Sequence, residues 1–191
     1  DHAITFDDTD TDMQPDLVWI KNRDATDNHT LFDAVRGVRE FISSNLPSAE
    51  GTAADSLNSF DADGFTIGAW GDINGNTEDY ASWNWKAGTT TGIGSGDITP
   101  SAYSFNTTAG FSIVAYTGTL SGSGIATVPH GLGAAPKMVI TKSLSDSREW
   151  YVQHPALTTP SYYVYFSTNA AEANGSGNGV MSAPTSTVFD T

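Results

Sequence analysis

The chain has 191 residues with 22 carboxylates, eight Lys and Arg side chains and no cysteine, giving a formal net charge of -14. This charge argues against a nucleic-acid phosphate binder and against docking on an anionic membrane, because both need a basic surface. The lack of cysteine excludes disulfides and thiolate metal sites, and no apolar run approaches the ~20 residues that span a bilayer, so we expect no membrane insertion.

The acidity is uneven along the chain. Residues 1–100 carry a net charge of -13 and residues 101–191 a net charge of -1. Seventeen of the acids are Asp and five are Glu, beside 19 Gly. Asp and Gly favour turns, which indicates short strands joined by many turns. We expect the first half to face solvent and ions and the second half to face neighbouring molecules.

Short apolar or alternating segments recur along the chain, separated by clusters of Gly, Ser, Asp and Asn. The predicted strands are, in chain order, Leu17–Ile20, Thr30–Arg36, Phe65–Ile67, Tyr80–Trp85, Phe111–Tyr116, Met138–Thr141, Trp150–Gln153 and Tyr162–Phe166. A short helix is predicted at Val38–Ser44, where apolar residues continue a helical spacing. The number and spacing of the strands predict an all-β fold, an antiparallel β-sandwich of the jelly-roll type.

A weak internal repeat crosses the chain. Pro15–Asn22 aligns with Pro136–Ser143 at a shift of 121 residues, and the same shift places His29–Phe32 over Trp150–Gln153. Further along, Phe65 meets Phe189 at a shift of 124. The repeat predicts two related tandem units, residues 1–96 and 97–191, with the Gly-rich stretch 88–96 at their boundary.

Each predicted unit lacks a strand that the other has. Phe111–Tyr116 has no counterpart in the first unit, and Tyr80–Trp85 has none in the second. Either the chain is a window cut from a longer array, which is the simpler interpretation, or neighbouring subunits supply the missing strands. Because an exposed strand edge is a template for pairing, we predict an assembly edge at Phe111, Ile113 and Ala115.

Six motifs follow one another in an order that suggests a known kind of protein. They are Pro15–Arg23, His29–Gly37, Phe60–Gly68, Trp83–Gly88, Gly110–Gly118 and His130–Pro136. Together they resemble a module of tail-fibre-like and other virion structural proteins of tailed bacteriophages, especially aquatic ones. The resemblance covers nearly the whole chain and implies a fibre-forming or virion-borne β module, outside the cell. It carries over no catalytic or receptor-binding residue.

One short pattern suggests a metal. Asp72, Asn74, Asn76 and Glu78 place oxygen ligands at alternate positions, as calcium loops do. An EF-hand would need Gly where Thr77 stands, so the pattern is not an EF-hand. The alternative interpretation is a hairpin turn at Asn-Gly. Calcium is the one cofactor that the sequence suggests.

Tryptophans offer a second candidate site. Trp83 and Trp85 share one face of a predicted strand, and Trp70 lies nearby in sequence. If exposed, these rings would form a platform on which sugars stack. Large aromatic side chains are more often buried, so we expect Trp83 and Trp85 to belong to the core.

No catalytic motif accompanies the four histidines, and no carboxylate pair is singled out among 22 acids. We therefore predict that the protein is not an enzyme. The sequence favours a structural protein of an extracellular or virion fibre or surface decoration, assembling with itself or with other subunits. The alternative function is a glycan-binding module for host attachment, assisted by calcium.

Overall fold

A computed structural model describes residues 1–6, 12–119, 124–175 and 182–191. The chain is all-β, with 36% strand and 2% helix, as the sequence predicted. The paired strands are antiparallel throughout these residues. No helix among them is long and apolar enough to cross a membrane.

The strands are short, as expected for a chain rich in turn-forming residues. In chain order they are β1 (His2–Thr5), β2 (Leu17–Asn22), β3 (Thr30–Asp33), β4 (Glu40–Ser43), β5 (Gly51–Thr52), β6 (Leu57–Asp61), β7 (Gly64–Ile67), β8 (Tyr80–Trp85), β9 (Ala102–Asn106), β10 (Phe111–Ala115), β11 (Thr127–Pro129), β12 (Val139–Thr141), β13 (Tyr151–Gln153), β14 (Tyr162–Tyr165), β15 (Ala173–Asn174) and β16 (Val188–Asp190). One helical turn, α1 (Gly71–Asn74), precedes β8. Each of the eight predicted strands overlaps an observed strand.

The chain divides into two compact units. Unit 1 comprises residues 1–87 and 144–148, and unit 2 comprises residues 88–143 and 149–191. The division after Ala87 lies at the start of the Gly-rich stretch 88–96, nine residues before the predicted boundary. Residues 144–148 belong to unit 1 although unit 2 surrounds them in sequence, and the Glu50 amide donates a hydrogen bond to the Leu144 carbonyl.

Unit 1 contains a five-stranded sheet, β5-β4-β3-β2-β8, and a three-stranded sheet, β1-β7-β6. Alternation along β2 turns Val18, Ile20 and Asn22 inward, where all three are buried. Both sheets contribute to one apolar core. Its buried members are Val18, Ile20, Phe32, Leu57, Phe65, Ile67 and Ile73.

The helix predicted at Val38–Ser44 is wrong, because β4 occupies these residues. The backbone turns here with positive φ at Gly37 (106°) and Arg39 (71°), which a continuous helix does not permit. Asp33 starts the turn, since its Oδ1 accepts hydrogen bonds from the amides of Val35 and Arg36. Local Asp and Gly turn chemistry therefore overrides the helical spacing of the apolar residues.

Unit 2 contains three smaller sheets, β10-β9, β11-β16 and β12-β13-β14-β15. Its buried apolar cluster draws on two loops and on three strands, β11, β12 and β16. The cluster consists of Ile98, Ala126, Val128, Val139 and Phe189, and Val114 and Tyr116 pack against it.

The two units pair their strands in corresponding registers. In unit 1 Val18 pairs with Phe32, and in unit 2 Val139 pairs with Gln153, a shift of 121 residues on both strands. The strand order β2-β3-β4-β5 corresponds in the same way to β12-β13-β14-β15. Ile4–Phe65 and Val128–Phe189, in the smaller sheets, differ by 124 on both strands. The internal repeat of two related tandem units stays a prediction.

Gly64 lets β1 approach β7 closely. Its φ is 122°, and a Cβ atom at this position would lie 1.9 Å from the carbonyl oxygen of Ile4. Gly37 also has a positive φ, but a Cβ atom there would meet nothing within 4 Å. A side chain at Gly37 would meet only backbone strain, whereas a side chain at Gly64 would meet backbone strain and a steric clash.

Gly64→Ala should lower the free energy of unfolding by more than ~2 kcal/mol, because the methyl group must push β1 away from β7. Gly37→Ala, the matched control, should cost only the ~1–2 kcal/mol of a left-handed backbone. Urea unfolding followed by circular dichroism measures both. Equal losses in the two variants would contradict the close approach.

Candidate functional site

Three tryptophans lie on the outer face of the five-stranded sheet. Trp19 pairs with Trp83, and Leu17 pairs with Trp85. Because Val18 faces the core, alternation turns these cross-strand partners away from it. Trp83 is 47% exposed and Trp85 is 37% exposed, so the expectation that they are core residues is wrong. We call Trp19, Trp83 and Trp85 the tryptophan face.

His29 joins this face beside Trp19. The indole Nε1 of Trp19 donates a hydrogen bond to Nδ1 of His29 at 3.0 Å. The Trp19 ring centroid lies 5.7 Å from that of His29 and 5.8 Å from that of Trp83. Burial, and then the positive charge of Lys21, lower the pKa of His29. The ring is therefore neutral at pH 7 and, with Nδ1 accepting, carries its proton on Nε2 as a donor.

Sequence reasoning missed Trp19 and His29 as members of this site. The signal is tertiary, because it depends on the pairing of β2 with β8 rather than on any local motif. Trp70, which was a candidate, is not part of the tryptophan face. It packs against the core of unit 1, with its ring centroid 4.7 Å from that of Phe41.

The residues of the predicted calcium loop lie in and after α1. Asp72 and Asn74 are in the helical turn, which also shows that the hairpin interpretation is wrong. Asn74 Nδ2 donates to the carbonyl of Gly68 at 2.6 Å. Asn76 is exposed in the turn that follows. One of the predicted ligands, Asn74, is therefore engaged in a contact with the backbone.

The fourth predicted ligand, Glu78, joins a hydrogen-bonded cluster around a buried amide. Asn22 Nδ2 donates to Asp27 Oδ2 and to Glu78 Oε2, both at 2.7 Å, and the Tyr80 hydroxyl donates to Glu78 Oε2 at 2.9 Å. Burial, and then the negative charge of Asp27, raise the pKa of Asp72. Within the described ranges, no group of three or more His, Cys, Asp or Glu side chains is arranged to hold a metal ion.

An apolar surface lies on one face of the four-stranded sheet of unit 2. Ile140 pairs with Val152, which pairs with Val164 on the next strand. Met138 lies two residues before Ile140, just outside β12, and Phe166 lies two residues after Val164, just outside β14. Met138 is 55% exposed, Ile140 44% and Phe166 42%. We call Met138, Ile140 and Phe166 the apolar face.

The predicted assembly edge lies on β10, the outer strand of the two-stranded sheet β10-β9. Phe111, Ile113 and Ala115 are half-buried. They point away from Val114 and Tyr116, which pack on the unit 2 core. The strand therefore presents an apolar side that the unit 2 core does not cover.

Residues 4–191 match a family described as a domain of unknown function, DUF7483. The chain belongs to this family. Comparison with curated proteins gives no match, and comparison with solved structures gives none. The function of this DUF7483 domain must therefore be argued from its own residues.

Two histidines of the DUF7483 domain form hydrogen bonds with backbone groups. His130 is buried, with Nδ1 accepting from the Leu132 amide at 3.1 Å and Nε2 lying 3.2 Å from the Thr185 carbonyl. Burial lowers the pKa of His130. His154 Nδ1 accepts from the Ala156 amide at 3.1 Å.

Asp72→Asn should raise the free energy of unfolding of the DUF7483 domain at pH 7, by up to about 1 kcal/mol. A carboxyl whose pKa is raised by folding stabilises the protein only while protonated, and this contribution is lost as the pH rises through that pKa. Replacing the carboxyl removes the penalty. The gain should vanish near about pH 3, where the carboxyl is protonated in both states. Thermal unfolding at the two pH values measures it, and an equal gain at both would contradict the charge explanation.

Proposed function

We propose that this chain is a non-enzymatic structural module of an extracellular or virion fibre or surface decoration. It assembles with copies of itself or with other subunits through unit 2. The observation that carries the proposal is the apolar face, where three large apolar side chains lie exposed on one face of a sheet. Large apolar side chains exposed in this way are the part of unit 2 on which a partner can pack.

The position of this surface in the sheet supports assembly. Ile140 lies in β12 and Met138 directly precedes it, and β12 is the outermost strand of its sheet among the described residues. An outermost strand offers unpaired backbone N–H and C=O groups, and Ile140 adds apolar contact at the same place. A partner that binds here would gain hydrogen bonds and apolar burial together.

The charge distribution supports the same assignment. Unit 1 contains 18 carboxylates and six Lys or Arg side chains, a net charge of -12. Unit 2 contains four carboxylates and two lysines, a net charge of -2. Like charges repel, so contact between copies is least opposed at unit 2, while the charge of unit 1 keeps assembled particles dispersed.

The wild-type chain should sediment as an oligomer at micromolar concentration, and Ile140→Asp should sediment as a monomer. A carboxylate at this position would have to lose its water in the interface. The free energy of this desolvation exceeds the free energy that burial of Ile140 contributes. Val38→Asp is the matched control, since Val38 is a 40% exposed apolar residue of unit 1. Its sedimentation should equal that of the wild type. A monomeric wild-type chain would contradict the assembly proposal.

A second candidate function, glycan binding, is favoured by the tryptophan face. Indole rings offer flat apolar surfaces for the C–H faces of sugars, and His29 Nε2 supplies a hydrogen-bond donor beside Trp19. Two half-exposed indoles amount to roughly 200 Å² of surface, far below the ~800 Å² per partner of a stable protein interface. A net charge of -12 on unit 1 opposes acidic ligands. Neutral sugars therefore fit this face best.

Trp83→Ala should weaken binding of a neutral oligosaccharide roughly tenfold or more, because it removes one stacking surface. The probes are cellohexaose, mannohexaose and chitohexaose at millimolar concentration, with affinity measured by calorimetry. Trp70→Phe is the matched control, because Trp70 packs on the core side and should leave the affinity unchanged. Failure of all three sugars to bind the wild-type chain would reject this candidate function.

A further inference from the structure

The correspondence between the units identifies what is missing at the apolar face. The shift of 121 residues that relates β12 to β2 places Met138 at the position of Leu17 and Ile140 at the position of Trp19. The inward residue between them is equivalent as well, since Val139 and Val18 are both buried. The two strands therefore hold the same place in their units, with the same face directed to the core.

In unit 1 a further strand covers the edge of β2. All six residues of β2 pair with β8, and this pairing sets Trp83 beside Trp19 and Trp85 beside Leu17. Under this cover Leu17 and Trp19 are half-buried. β2 is thus an inner strand, with β3 on one side and β8 on the other.

In unit 2 the corresponding sheet ends at β12, as far as the described residues go. Met138 and Ile140, which take the places of Leu17 and Trp19, are exposed rather than half-buried. The exposure is confined to the outward face at the edge where β8 lies in unit 1. Met138 and Ile140 are therefore as apolar as the residues that β8 covers in unit 1, but no described strand covers them.

We propose that the free edge of β12 receives an added strand of the β8 type. The added strand runs antiparallel to β12 and carries large apolar side chains at alternate positions, facing Met138 and Ile140. This inference rests on the proposed assembly function and names the contact that performs it. It also gives the composition of the partner, because β8 itself contains no charged residue.

The chemistry of the edge favours a strand over other occupants. The outer backbone groups of β12 require donors and acceptors at the repeat of an extended chain, which neither a lipid nor a sugar provides. The outward residue Ile140 on β12, and Met138 two positions before it, match the side-chain period of a strand. β-strand addition satisfies both needs in a single contact.

The test uses a peptide with the sequence of residues 79–86 of this chain, acetylated and amidated, as the added strand. It should bind the full chain, and amide hydrogen exchange should show new protection at Val139–Thr141. A control peptide with Ser in place of both tryptophans should bind at least roughly tenfold more weakly. Ile140→Asp should weaken binding of the native peptide by a similar factor, and Val38→Asp should leave it unchanged.

Two results would overturn the inference. One is the absence of peptide binding at millimolar concentration. The other is protection confined to Leu17–Asn22, which would mean that the peptide only exchanges with β8 on unit 1. Sedimentation separates this inference from the proposed function. If oligomers form and the peptide does not dissociate them, the assembly proposal stands. The β12 edge is then rejected as the contact between subunits. A monomeric chain that binds the peptide at β12 would reject self-assembly and retain the edge.

Discussion

The two-residue period of β2 is the constraint on which much of unit 1 depends. Val18 and Ile20 must face the core because both sheets of the unit close over them. Once that is fixed, Leu17 and Trp19 face outward, and the antiparallel register carries Trp83 and Trp85 to the same side. A slip of one residue in β2 would turn Trp19 inward and expose Val18 and Ile20. The tryptophan face is thus a direct consequence of core packing on the opposite side of one strand.

The same constraint acts in unit 2 with a different result. Val139 faces the core as Val18 does, and Ile140 must then face outward as Trp19 does. In unit 1 the outward side is completed by a neighbouring strand, whereas in unit 2 the described sheet stops at β12. The outward side of β2 therefore carries an aromatic surface, whereas β12 is the outermost described strand of its sheet.

Sequence patterns located the strands well because alternation and turn residues are local. Tyr80–Trp85 was predicted with its observed bounds, and the two prominent Trp residues were placed together on one face of it. The sequence of this segment does not indicate which face is exposed, because the orientation of β8 is set by its pairing with β2. The helix predicted at Val38–Ser44 failed for the opposite reason, since a local turn around Gly37 overrode a regular spacing. The sequence also did not predict the hydrogen-bonded cluster around Asn22, because Asp27 and Glu78 are far apart in the chain.

The hydrogen bond from Trp19 to His29 has an optical consequence. A neutral imidazole leaves indole emission largely intact, whereas a protonated imidazole in ring contact is an efficient quencher. Because the pKa of His29 is lowered, the ring takes up a proton only at a more acidic pH than a histidine in water does. Protonation would also remove the acceptor that fixes the Trp19 ring. The emission of Trp19 should therefore fall in acid, as this ring of the tryptophan face loses its hydrogen-bond acceptor.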